Sequence, residues 1–207
     1  MNNNMIICNE DINLNVRKFF LEKCNYIAID TETTGLNPLI DKLCLIQIYD
    51  GNTTYILKYN NKTEYSNFIE VLRSKKVRKV FHHANFDLRF LIKNLKIDDI
   101  NNVACTKVAA KLLHGIEEKN GLKYLVNKYL KIDMDKGMQM SDWGNKQLSN
   151  KQLEYAQNDV FYLYSLWEVI RNELKINNID NISEKCFEYL PTNSKLHNQG
   201  IENIFIY

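Results

Sequence analysis

Apolar residues in this 207-residue chain change their spacing along its length, dividing a strand-rich first part from a helical remainder. Met5–Cys8 is a short β-prone run suited to a sheet edge, and Leu14, Phe19 and Phe20 mark a first helix with Asp11 placed to cap it. Tyr26–Asp30 is a run of the kind a sheet buries on both faces. Leu43–Tyr49 and Thr53–Leu57, joined by Asp50-Gly51-Asn52, predict a hairpin. Phe68, Ile69 and Leu72 give Tyr65–Arg73 the stripe of a helix; Val77–His83 predicts another strand, and a helix opens near Asn85. After a short strand at Val103–Thr106 the pattern is helical: Lys107–Leu113, Gly121–Leu130 and a long element from about Ser149 to Asn177.

In that last helix Ser149 and Gln152 have the spacing of a capping box. Leu153, Ala156, Val160, Leu163, Trp167, Ile170 and Leu174 then alternate steps of three and four. The order of elements predicts an α/β fold: a mixed sheet with its first three strands antiparallel, a parallel crossover, and helices covering it. No repeat or low-complexity linker divides the chain, so a single domain over 1–207 is expected, its apolar tail 179–207 packed back on the body.

Composition narrows the class. Apolar content of 45% and charged content of 25% belong to an ordinary globular protein. The net charge of +2 argues for no partner, but its distribution is uneven. Residues 73–96 hold eight Lys/Arg against Asp87, and residues 107–151 hold nine against five acids. These segments are either solvated helix faces or a positive rim suited to nucleic acid. Five scattered cysteines without C-x-x-C spacing suggest neither a disulfide framework nor zinc. With no secretory signal pattern and no 18-residue apolar run, no membrane association is expected, and the location is read as cytoplasmic.

Candidate chemistry lies at three acidic motifs. Asp30 and Glu32 end the central strand, and the period of two sends both side chains to one face. Two carboxylates that close repel unless a cation lies between them, and such oxygen ligands suit Mg²⁺ or Mn²⁺; the pair reads equally as a solvated loop. Asp87, in His83-Ala84-Asn85-Phe86-Asp87, falls in a first helical turn with Asn85 as its expected N-cap, where the helix dipole alone would favour an acid. Tyr155 and Asp159 are four apart and share one face of the long helix, as a site or as a plain surface hydrogen bond.

Together these residues resemble the DEDD superfamily of 3′→5′ exonucleases, in the subgroup with a tyrosine in its third motif. Asp30-x-Glu32 looks like the first motif, Asp87 the second, and Tyr155-x-x-x-Asp159 the third. More narrowly the chain is similar to ribonuclease D. That likeness is carried by Gly121–Lys131, by Asp135-Lys136-x-x-Gln139-x-Ser141-Asp142-Trp143, and by Cys186-Phe187-Glu188-Tyr189-Leu190-Pro191-Thr192. The resemblance implies a ribonuclease H-like fold and two divalent cations, Mg²⁺ or Mn²⁺. Asp30, Glu32 and Asp159 would hold one, Asp30 would bridge to the second, and Asp87 would assist through a water. Tyr155 would position the attacking water, since its reference pKa of ~10 suits a hydrogen-bond donor better than a base. Leu36 would lie against the terminal base, and Thr33, His83, Asn85, Lys136 and Trp143 are candidate substrate contacts; Trp143 reads equally as core.

The implied activity is removal of nucleoside 5′-monophosphates from single-stranded RNA 3′ ends, with no obligate protein partner. DNA is the alternative substrate, because no 2′-OH-reading element is visible. A third reading is a nucleic-acid-binding module with an inactive site, against which the four acids and the tyrosine stand. The helical HRDC-type domains of larger ribonuclease D proteins are not expected here.

Overall fold

The computed structural model describes residues 4–135, 137–145 and 147–206. Its strands are β1 (Asn4–Cys8), β2 (Tyr26–Thr33), β3 (Leu43–Tyr49), β4 (Thr53–Lys58), β5 (Arg78–Phe81) and β6 (Val103–Cys105). The helices are α1 (Leu14–Lys23), α2 (Ser66–Arg73), α3 (Ala84–Leu95), α4 (Thr106–His114), α5 (Leu122–Leu130), α6 (Asn150–Ile176) and α7 (Asp180–Asn198). One sheet runs in the order β1–β4–β3–β2–β5–β6. β3 runs antiparallel to both its neighbours, β2 and β4, while β1 joins β4, and β5 and β6 extend from β2, in parallel. The mixed sheet predicted from the order of elements is the one observed.

β2 lies inside the sheet, and Ile27, Ala28 and Ile29 are wholly buried, as its unbroken apolar run requires. The Asp50-Gly51-Asn52 turn closes the β3–β4 hairpin. Asp50 accepts hydrogen bonds from the backbone N–H of Asn52 and Thr53, both at 2.7 Å, and Gly51 has φ +98°.

α6 crosses one face of the sheet, touching β2 to β5, and α4 and α5 pack on it. Its rings meet the strands directly: Tyr26 stacks on Tyr164 with centroids 4.3 Å apart, and Tyr49 packs edge-on against Phe161 and Tyr164. The other face meets α1, where Phe20 packs on Tyr55 at 5.3 Å, and α3.

Three local expectations are corrected. Asp11 does not cap α1; Asn13 does, accepting from the Val16 N–H at 3.0 Å. Asp11 instead caps α2 across space, accepting from the backbone N–H of Asn67 at 2.6 Å and of Phe68 at 3.1 Å. Asn85 does not cap α3. His83 holds that position, and the Asn85 amide turns to α7, accepting from Ser194 Oγ at 2.9 Å and Asn193 Nδ2 at 3.2 Å and meeting His197 Nδ1 at 3.2 Å. The tail packs back only in part. α7 docks on α3, β6 and α4, and the bidentate Arg78–Glu184 pair (2.7 Å on each arm) ties its first turn to β5, whereas Ile204, Phe205 and Ile206 stay exposed. Among the described residues no helix is long and apolar enough to cross a membrane.

Because Asp11 holds the start of α2, Asp11→Ala should lower stability by about 1–2 kcal/mol, the usual cost of a lost cap. Urea unfolding followed by circular dichroism checks this; an unchanged midpoint would show that water replaces the carboxylate without cost.

Candidate active site

β2 extends through Thr33, so Asp30 and Glu32 are both strand residues on the face crossed by α6. A bulge in the pairing with β3 falls between Glu32 and Thr33, at the point where the chain leaves the sheet. The α6 start is set by Ser149 and Gln152, whose capping box is complete: Gln152 N–H donates to Ser149 Oγ at 3.3 Å, and Ser149 N–H to Gln152 Oε1 at 2.9 Å. That start puts Tyr155 and Asp159, one turn apart, over the end of β2.

One carboxylate oxygen from each of Asp30, Glu32 and Asp159 lies within 4.8 Å of the other two. Asp159 is 5% exposed and Glu32 9%, so water screens their repulsion poorly. Hard oxygen donors at this spacing fit a divalent cation of the Mg²⁺ or Mn²⁺ type. Tyr155 donates its phenol hydrogen bond to Asp159. Burial, together with the charges of Asp159, Glu32 and Asp30, holds the phenol far above its ordinary pKa. It is therefore a fixed donor at neutral pH.

Asp87 reaches β2 from the other side. Thr31 lies between the two acids and points to the opposite face, and its Oγ1 donates to Asp87 Oδ1 at 2.7 Å. Asp87 is 2% exposed and stands outside the three-carboxylate group. Burial pushes its pKa up to about 7, against the opposing pull of the Thr31 hydrogen bonds. Thr31 was not singled out in the sequence, although the period of two makes it the residue facing away from the acids.

The expected substrate contacts separate into two groups. Leu36 is 79% exposed, in the loop between β2 and β3. That loop is clamped by the Thr34 N–H to Lys42 carbonyl bond at 3.0 Å, and by the Lys42 N–H to Thr34 Oγ1 bond at 2.9 Å. A Cβ on Gly35 would meet the Asp41 carboxylate at 2.5 Å, so the close approach needs glycine. Thr33 lies at the loop's root, its Oγ1 donating to the Gly35 carbonyl at 2.6 Å. His83 is exposed and stacks on Phe86 at 6.2 Å. Partial burial and the ammonium groups of Lys107 and Lys111 push its imidazole down to about 4, which leaves a neutral ring beside two cations.

The other candidates face inward. Trp143 is 4% exposed, its ring 5.9 Å from that of Tyr155, in a cluster with Leu45, Ile56 and Ala156. Of its two readings, core is the observed one: it supports the phenol from behind. Gln152 fastens this arrangement, donating to Ser141 Oγ and to the Asp142 carbonyl, both at 3.1 Å, a role its capping signature did not reveal. Asn85 is engaged by α7 as described, and Lys136 lies outside the described residues.

Comparison with known proteins is consistent with this geometry. Residues 6–175 match the family model described as 3′-5′ exonuclease. Over 194 residues the chain is 30% identical to ribonuclease D of Haemophilus influenzae, an alignment covering 90% of this chain and 48% of that protein. The chain thus spans about half the length of the curated relatives it matches. Among solved structures, Brucella melitensis NrnC with bound Mg²⁺ superposes with a TM-score of 0.89 at 32% identity, covering 99% of both chains. The same protein bound to pGG gives 0.89 at 33% identity, covering 99% of this chain and 98% of that one. The fold is therefore the ribonuclease H-like sheet of these exonucleases.

Asp87 yields a pH prediction. Its folded pKa of about 7 lies above the ordinary 3.8, so between these values the folded state binds more protons than the unfolded, and stability falls as pH rises. In EDTA, wild type should be more stable at about pH 5 than at about pH 8 by a margin that Asp87→Asn, which keeps an acceptor for Thr31, removes. Denaturant midpoints at the two pH values check this; equal pH dependence in both proteins would mean that Asp87 ionises normally.

Proposed function

We propose that this chain, which belongs to the 3′-5′ exonuclease family, is a metal-dependent 3′→5′ exoribonuclease that releases nucleoside 5′-monophosphates. The observation that carries the reading is the convergence of Asp30, Glu32 and Asp159 within 4.8 Å beneath a buried tyrosine. Three carboxylates this close repel one another, and a cation held among them relieves that repulsion.

Asp30, Glu32 and Asp159 would hold one divalent ion, Mg²⁺ or Mn²⁺; Asp30 would share a second, and Asp87, which Thr31 holds on the other side of β2, would act on it only through water reaching round the end of the strand. Two such ions would supply charge stabilisation to both the attacking and the leaving oxygen of an in-line displacement at phosphorus. The remaining work belongs to the chain. Tyr155 gives its phenol proton to Asp159 and orients the attacking water by accepting from it at the phenol oxygen, and Asp159 and Trp143 hold that phenol in place. Leu36 offers an apolar surface to the terminal base, and the bulge beyond Glu32 sets the angle of its loop. Lys107 and Lys111, beside neutral His83, attract backbone phosphates without reading sequence. The substrate is the 3′ end of single-stranded RNA, including molecules as short as the pGG that similar NrnC binds. All five cysteines are free, as in a reducing compartment, and the reading assigns the protein to the cytoplasm.

The test is digestion of 5′-labelled RNA, DNA of the same sequence, and pGG, each with Mg²⁺ or Mn²⁺. RNA should shorten from its 3′ end, EDTA should stop the reaction, and added metal should restore it. Faster loss of DNA would move the substrate to the other nucleic acid, and failure to cut any of them would favour a binding module. Asp30→Asn, Glu32→Gln and Asp159→Asn should each lower turnover by several orders of magnitude and raise thermal stability in EDTA, since each relieves repulsion. Wild-type turnover in Asp30→Asn would overturn the metal assignment.

Tyr155→Phe keeps the ring against Trp143 and removes only the hydroxyl. Its single-turnover rate should fall ~10²–10⁴-fold with RNA binding retained. An unchanged rate would return Tyr155 to a packing role.

A further inference from the structure

The interior of β3 contains one residue that its surroundings do not explain. In Leu43-Cys44-Leu45-Ile46-Gln47-Ile48-Tyr49 the single polar amide, Gln47, is 0% exposed, and neither Nε2 nor Oε1 has a hydrogen-bond partner among the described residues. A buried amide left this way is strongly unfavourable, and an apolar residue of similar size would serve packing better. Its place in the sheet is specific. Gln47 lies directly opposite Asp30 in the antiparallel register, so the two side chains emerge on the same face as nearest cross-strand neighbours, with Cβ atoms about 4.5–5.5 Å apart.

A second unpartnered group adjoins it. On β4, Ile56 is the register partner of Gln47, and Thr54, two residues earlier, shares its face. Thr54 is also 0% exposed, and its Oγ1 has no partner among the described residues. Three orphaned polar atoms thus form one patch beside Asp30, under α6. Among the α6 residues that pack on the flanking Leu45 and Ile56 is Ala156, beside Tyr155, and its side chain ends at a methyl. Buried polar groups in such a patch are ordinarily satisfied by ordered water, which bridges them to neighbours nearly as well as a direct bond.

We propose that Gln47 is a positioning residue of the carboxylate site: with Thr54 it holds buried water behind Asp30 and braces that carboxylate from the side away from the cation. Nε2 donates toward Asp30 through the water, and Oε1 accepts from the water that the Thr54 hydroxyl also meets. Carboxylates that hold a cation are hydrogen-bonded in turn, and loss of the outer partner typically weakens metal binding ~10–100-fold. The inference rests on the metal-binding reading above.

The test is Mn²⁺ binding to the metal-free chain by isothermal titration calorimetry without nucleic acid, beside thermal unfolding in EDTA. Gln47→Met keeps length and removes the hydrogen bonds. It should weaken Mn²⁺ binding ~10–100-fold while the EDTA melting temperature holds or rises, because an orphaned amide is gone. Thr54→Val should weaken binding less, and the double variant should fall short of the sum of the two, as for groups sharing one water. Folded Gln47→Met with wild-type Mn²⁺ affinity overturns the proposal. If that variant does not fold, unchanged affinity in Thr54→Val overturns it. Wild type that binds no Mn²⁺ overturns instead the metal reading beneath it.

Discussion

The candidate site depends on the repulsion among Asp30, Glu32 and Asp159, one oxygen of each lying within 4.8 Å of the other two. Two of the three share a strand and cannot separate without breaking the sheet. The third could swing away if α6 rolled or slid, so the demand on the fold is to fix the register of α6 on β2. It does so at both ends. The capping box sets the first turn, and two turns beyond Tyr155 the rings of Phe161 and Tyr164 pack on Tyr26 and Tyr49. Tyr164 is closed in further by the hairpin turn, since a Cβ on Gly51 would meet its hydroxyl at 2.7 Å. The aromatic contacts far from the acids thus hold Asp159 against a force that would otherwise expel it.

The parts of this arrangement governed by local periodicity were legible in the sequence. The period of two placed Asp30 and Glu32 together, spacing by four placed Tyr155 beside Asp159, and Ser149 with Gln152 marked where α6 begins. What escaped were side chains whose partners are remote along the chain. Asp11 has the chemistry of a local cap, yet its acceptors serve Asn67 and Phe68, 56 and 57 residues away. Asn85 is likewise a fair cap in isolation, but α7 brings Ser194, Asn193 and His197 to it, and those bonds decide its direction. Trp143 left two readings open because an aromatic in a loop carries no period. The burial of its ring against Tyr155 comes from tertiary packing, held by the two bonds from Gln152.

The acids also differ in kind. Asp30, Glu32 and Asp159 meet on the α6 face, whereas Asp87 comes from α3 and is held by Thr31 on the opposite side of the strand. β2 is thus a partition with ionisable groups on both sides, and its alternation allots them: even-numbered acids to one face, Thr31 to the other. Burial acts on the two sets differently. Asp87 accepts from the Thr31 hydroxyl and from backbone N–H groups, yet desolvation outweighs them and its proton affinity rises. In the cluster, burial and the three carboxylates act together on Tyr155, raising its pKa.

The choice of a phenol at position 155 follows from that field. A basic side chain among three carboxylates would be held protonated and would pair with them, competing for the oxygens a divalent ion needs. A phenol stays neutral, because the same carboxylates and the same burial that would charge a base drive its pKa upward. It can give its proton in a hydrogen bond without adding a positive charge, and its ring fills the space over Leu45 and Ile56 that a smaller donor would leave to water. Neutrality, reach and apolar bulk are needed together here. Among the side chains, tyrosine joins a hydroxyl donor to a ring of that size, while tryptophan, the nearest substitute, is a donor only and cannot accept from a water it must orient.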